Sequence, residues 1–145
     1  MRYPKLALLT ALAIGVQLPA MAAGIPVTLY KNPSCGCCDA WAKDLAANGF
    51  TVKTVNTEDL ASVAQRYGVP ENLEGCHTAI VGGYVVEGLV PAEYVKRLLA
   101  QHPATKGIAL PGMPTGAPGM PGERSGPLKI YYLESGSAPR VFATF

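Results

Sequence analysis

Strong charge of either sign is the first thing this sequence lacks. Its 145 residues hold 12 Lys and Arg against 10 Asp and Glu, and Arg2 and Lys5 account for the formal surplus of +2. No run of Lys and Arg follows them, so no footprint for a phosphate backbone or an anionic surface exists, and nucleic acid is not expected as a partner. A membrane-spanning run is also missing: the apolar stretch Leu6 to Val16 is too short to cross a bilayer. Cysteines are too few and too clustered for a disulfide scaffold. There are four, three of them in Cys35-Gly36-Cys37-Cys38. A bridge between the neighbours Cys37 and Cys38 would close a strained ring, so one disulfide is feasible and a framework of them is not. The paired-knuckle spacing of structural zinc sites and the spacing of ferredoxin-type clusters are both absent.

What is present begins with an export pattern. Arg2 and Lys5 precede the apolar run, and Ala20-Met21-Ala22 offers small residues for cleavage. That layout predicts a secretory signal peptide over 1–23 and a mature domain over 24–145, with no stable membrane insertion after cleavage. The length suits one domain with its own hydrophobic core.

Residue patterns predict the order of elements. Ile25 to Tyr30 is β-branched and aromatic, as in a strand, and the alanine-rich Cys38 to Asn48 reads as a helix stopped at Asn48-Gly49. Phe50 to Val55 alternates like a half-buried strand. Thr57, Glu58 and Asp59 suit the start of a second helix, whose apolar face is Leu60, Val63, Ala64 and Tyr67. Thr78 to Val81 and Tyr84 to Gly88 flank Gly82-Gly83, a hairpin signal. Pro91 opens a third helix and Pro103 closes it. The sum is an α/β chain on a thioredoxin-like plan: a parallel β-α-β unit, an antiparallel hairpin and a covering helix. Lys106 to Pro127 is dense in Gly and Pro and is expected to form neither helix nor central strand. It holds Met113 and Met120 in matching Pro-Gly-Met-Pro contexts. Strands around Gly136 (128–135 and 140–145) form a C-terminal β extension.

The cysteine cluster falls between the first strand and the first helix, where a thioredoxin-like fold carries its C-x-x-C. Free N–H groups at a helix start favour thiolates, which serve disulfide exchange and soft-metal binding equally. Three features tilt toward metal. Cys35, Cys37 and Cys38 give one thiol more than exchange requires. The segment before the hairpin, expected to approach the cluster, carries Cys76 and His77 where redox members of the fold place a cis-proline. Met113 and Met120 add thioethers, and thiolate, thioether and imidazole together favour Cu(I) over hard ions. Taken singly, Cys76 reads as a small core residue, His77 as a hydrogen-bonded one, and both methionines as packing residues. His102, beside Pro103 at a helix end, reads as structural.

Three motifs, "YKNPSCGCCDAW", "EGCHTAIVGGYVVEGLVP" and "GIALPGMPTGAPGMPG", together resemble the CopG-type family of exported copper-resistance proteins, from about Val27 onward. The resemblance implies a periplasmic thioredoxin-like domain that binds Cu(I), as a multinuclear thiolate-bridged cluster, with a redox role between Cu(I) and Cu(II). By position it implies Cys35, Cys37, Cys38, Cys76, His77, Met113 and Met120 as metal ligands. It implies copper ions and periplasmic copper-handling proteins as partners. Pro121 departs from the family pattern, which has an acidic residue after the second methionine. The alternative function is a thiol–disulfide oxidoreductase using Cys35 and Cys38. Storage and delivery by a passive chaperone require the same ligands.

Overall fold

β1 buries alternate residues, Val27, Leu29 and Lys31, and the two faces of the sheet it joins are covered by different helices. The structure, a computed structural model, describes residues 23–134, 136 and 138–145, so residues 1–22 of the expected signal segment lie outside it. The elements run β1 (Ile25–Lys31), α1 (Gly36–Ala47), β2 (Phe50–Asn56), α2 (Leu60–Arg66), β3 (His77–Val81), β4 (Tyr84–Glu87), α3 (Ala92–Gln101), β5 (Gly107–Ala109), β6 (Lys129–Tyr132) and β7 (Val141–Thr144). They form one seven-stranded mixed sheet in the order β2-β1-β3-β4-β5-β6-β7. β1 and β2 are parallel, and β3 is antiparallel to both β1 and β4. This is the expected β-α-β unit, hairpin and helix.

On one face Val27, Leu29, Ala79, Val81, Val86, Ile108 and Ile130 meet Trp41 and Leu45 of α1 and Val95 and Leu98 of α3. On the other, Val85, Ala109 and Leu133 pack with Ala64 of α2 and with Val69 and Leu73. A buried aliphatic side chain contributes about 1.5–3 kcal/mol over its exposed state, so the first face carries most of the core energy. No helix among the described residues is long and apolar enough to cross a membrane.

Helix boundaries moved where capping chemistry outweighed composition. α1 begins at Gly36 rather than Cys38 because the Cys35 sulfur caps it, accepting from the Cys38 N–H. α2 begins at Leu60 because Asp59, not Thr57, is its N-cap and accepts from the Ser62 N–H. Thr57 instead accepts from the Asp59 N–H in the turn before it.

One expectation is overturned. The segment from Lys106 does supply a central strand: β5 lies between β4, to which it is parallel, and β6. The Gly-Pro composition is concentrated after Pro111, and Gly107 is no breaker in its place. A Cβ there would run into the backbone of Val85, so only glycine lets β5 approach β4. Gly107→Ala should therefore lose about 1–3 kcal/mol in a denaturant titration. Gly36→Ala, which meets nothing within 4 Å, should stay within about 0.5 kcal/mol of the parent.

Candidate metal centre

The stripe that buries α1 also fixes its cysteines. Cys38, Trp41 and Leu45 fall at i, i+3 and i+7 and are the buried residues of this helix. Cys38 is fully enclosed as a result, while Cys35 at the N-cap and Cys37 in the first turn remain half-buried. Across from them, Gly75 gives up its side chain to backbone contact: a Cβ there would lie 2.6 Å from the Gly88 Cα. Gly75 also pairs with Gly112 and donates to Glu87. These contacts deliver Cys76 to the head of α1.

The four sulfurs of Cys35, Cys37, Cys38 and Cys76 consequently lie within 4.8 Å of one another. Cys35 and Cys38 form a disulfide, with Cα atoms 5.3 Å apart, and Cys37 and Cys76 are free thiols. The Cys37 sulfur is 3.5 Å from that of Cys35. A metal–thiolate bond of about 2.3 Å places two sulfurs on one ion at most about 4.6 Å apart, so the cluster is close to metal-binding dimensions once the disulfide is reduced. Burial, followed by the nearby Cys37, pushes the Cys76 thiol well above its usual range. A soft metal ion bound there displaces that proton.

His77 stands at the edge of this set. Its Nδ1 is 3.4 Å from the Cys76 sulfur, its ring lies against Trp41 at 4.3 Å between centroids, and its Nε2 is buried without a hydrogen-bond partner among the described residues. The Met-containing loop reaches the cluster at two points. Gly112, next to Met113, pairs with Gly75 and donates to the Glu74 carbonyl. Gly119, next to Met120, leaves no room for a Cβ against the Cys37 carbonyl and is backed by Ala40. Met120 is half-buried against the core, whereas Met113 is 56 % exposed. His102 is separate from this constellation in role: it caps the C-terminus of α3 with φ +46°.

Two buried charged residues border the site that motif spacing did not single out. Lys31 breaks the apolar alternation of β1, and Glu87 interrupts the apolar run Tyr84 to Val90; each could have been found by that interruption. Glu87 accepts from the Gly75 N–H at 2.9 Å and the Thr78 hydroxyl at 2.7 Å.

Burial gives His77 and Glu87 opposing pH dependences. It pulls His77 from 6.5 to about 3, so the unfolded chain takes up a proton that the folded protein refuses, and stability falls as pH drops from 6.5. It raises Glu87 from 4.5 to about 7, against the two hydrogen bonds. That contribution is complete below pH 4.5 and is lost as pH rises toward 7. In metal-free protein the two slopes oppose one another between pH 4.5 and 6.5. Glu87→Gln should leave the His77 slope alone, so that denaturation free energy rises by about 1.4 kcal/mol per pH unit across that window. The parent should be nearly flat there.

The family described as "Protein of unknown function, DUF411" matches residues 73–120, which span Cys76, His77 and both loop methionines. No curated protein sequence matches the chain. Two solved structures do. One, "Copper resistance protein copG- Form 2", is 36% identical, with a TM-score of 0.76, 84% of this chain covered and 98% of that one. The other, "Copper resistance protein copG- Form 1", has the same identity and coverage and a TM-score of 0.75.

Proposed function

The chain belongs to the family of the copper resistance protein CopG, and on that premise we propose that it is an exported, periplasmic protein that takes up Cu(I) in its cysteine cluster. The observation that carries this reading is the convergence of four sulfurs within 4.8 Å at the head of one helix. Soft thiolates suit Cu(I), and the number of sulfurs supports bridging between several ions in a multinuclear cluster. Cys35, Cys37, Cys38 and Cys76 would hold the metal. His77 is available through Nδ1 beside Cys76 or through its unpartnered Nε2. Met120 on the inner side of the loop and Met113 on the outer side would supply thioethers during loading or release. The predicted signal segment and the thioredoxin-like plan belong to the same reading.

The disulfide gives this site two capacities. With Cys35 and Cys38 joined, Cys37 and Cys76 are the free thiols; after two-electron reduction all four become ligands. Oxidation state then sets how much copper is held, which fits a role in copper resistance and in the handling of Cu(I) and Cu(II).

Anaerobic titration of the reduced protein with Cu(I), followed by metal analysis, should give at least one tightly held copper per chain. The disulfide form should hold less. Cys37→Ser combined with Cys76→Ser should lose tight binding, and full binding in that variant would sink the proposal.

One observation favours a second reading. The Cys35–Cys38 disulfide at the start of α1 is the arrangement of a thiol–disulfide oxidoreductase. Insulin reduction that is rapid, and lost only with Cys35 or Cys38 substitution, would favour that activity over copper binding.

A further inference from the structure

Regular pairing between β3 and β4 ends where Thr78 stands opposite Glu87. One more backbone bond follows, from the Gly88 N–H to the His77 carbonyl at 2.9 Å, and β4 then turns away at Gly88, whose φ is +71°. Cys76 lies past this point and outside β3, so other contacts must set its place. The side chain of Glu87 supplies two of them. Its Oε1 accepts from the Gly75 N–H at 2.9 Å, and its Oε2 accepts from the Thr78 hydroxyl at 2.7 Å. Gly75 and Thr78 stand on either side of Cys76-His77, so one carboxyl group closes a clasp around that pair. The Glu87 carbonyl also accepts from the Leu110 N–H at 2.9 Å, and Gly75 bridges to Gly112. The entry to the Met-containing loop is thereby fastened to the same place.

Core packing does not account for a carboxyl group here. Val85, Val86, Leu89 and Val90 around it are buried and apolar, and Glu87 is itself only 1 % exposed. Taking a carboxyl group out of water is costly, and an apolar residue of similar size often serves stability as well or better. Such a residue would leave the Gly75 N–H and the buried Thr78 hydroxyl without this partner, and would open the clasp. The clasp does not depend on charge. A glutamine can accept from the Gly75 N–H through its carbonyl and donate to the Thr78 oxygen through its amide, because a hydroxyl both donates and accepts.

We propose that Glu87 is the positioning residue for the fourth sulfur of the metal centre: by clasping Gly75 and Thr78 it holds Cys76 at its distance from Cys37. This role rests on the reading of the four sulfurs as one centre, and its test uses no copper.

The probe is phenylarsine oxide, a trivalent arsenical that joins two neighbouring thiols. Applied to the protein with the Cys35–Cys38 disulfide intact, it meets Cys37 and Cys76 as the free pair. The arsenic–oxygen bond gives way to two arsenic–sulfur bonds, and the oxygen leaves as water with the two thiol protons. Native mass spectrometry at fixed pH reads the bound fraction across a titration. Glu87→Leu should bind the arsenical roughly tenfold more weakly than the parent, or worse. Glu87→Gln, which keeps both contacts, should stay near the parent. Leu98→Val, which loosens the core beneath α3 and leaves the clasp alone, should do the same. Where Glu87→Leu does not fold, Thr78→Val, which opens one side of the clasp, takes its place with a loss of roughly threefold or more. Binding equal to the parent's in the opened variant overturns the proposal, as does an equal loss in Glu87→Gln or Leu98→Val. A parent that holds no arsenical would overturn the convergence of the sulfurs and this role together. Failure of the Cu(I) titration alone would leave the result untouched, so the two readings fail separately.

Discussion

The distance between Cys38 and Cys76 depends on Trp41, a fully buried indole one helical turn beyond Cys38. Its Nε1–H donates to the Val90 carbonyl at 2.7 Å, which ties α1 to the chain entering α3. Its ring lies against His77, whose Nδ1 touches Cys76. One side chain therefore couples the helix that brings three sulfurs to the strand that brings the fourth. An indole buried without a hydrogen-bond partner is costly, so the bond to Val90 fixes the rotation of the ring as well as its depth. The rest of the site takes its spacing from that ring.

Around this contact the protein accumulates polar groups that a core normally excludes. Lys31, His77, Thr78 and Glu87 are all buried near the ends of β1, β3 and β4 that face the cysteine loop. Lys31, Thr78 and Glu87 have their partners, which offset the loss of water, while one nitrogen of His77 has none among the described residues. Native cores seldom leave such a nitrogen unpaired, and functional sites are where the exceptions gather. The cysteine cluster at the head of α1 gives these groups a common neighbour.

Much of this was legible in the sequence because local chemistry and tertiary placement agreed. Gly82-Gly83 announced the β3–β4 hairpin, and the Cys38-Trp41-Leu45 stripe belongs to a helix recognisable from its alanines. The approach of Cys76 to the first three cysteines was expected from the thioredoxin-like plan, which sets the segment before the hairpin beside the cysteine loop. The start of α1 was less legible because a cysteine is an uncommon cap, and its sulfur took the place that Ser or Asp usually fills. β5 was hidden for a different reason. Three residues leave no periodicity to read, and the glycine that looked like a breaker is a spacer that a neighbouring backbone requires. Lys31 and Glu87 were visible only as charges in apolar runs, whose significance depends on partners far along the chain.

The placement of β5 also changes what the Met-containing loop is. Leu110 to Leu128 joins two paired strands in the interior of the sheet, so both of its ends are held at strand spacing by the ladder itself. Closing a somewhat longer or shorter loop between fixed ends changes the entropy only slightly. Insertions, deletions and exchanged side chains within it can therefore accumulate without loosening the β-sheet. The cysteines have no such latitude, since each is fixed by a cap, a core stripe or a glycine contact. The candidate metal centre thus sets cysteines that the fold fixes beside a loop that touches them at Gly112 and Gly119 and can diverge between those points.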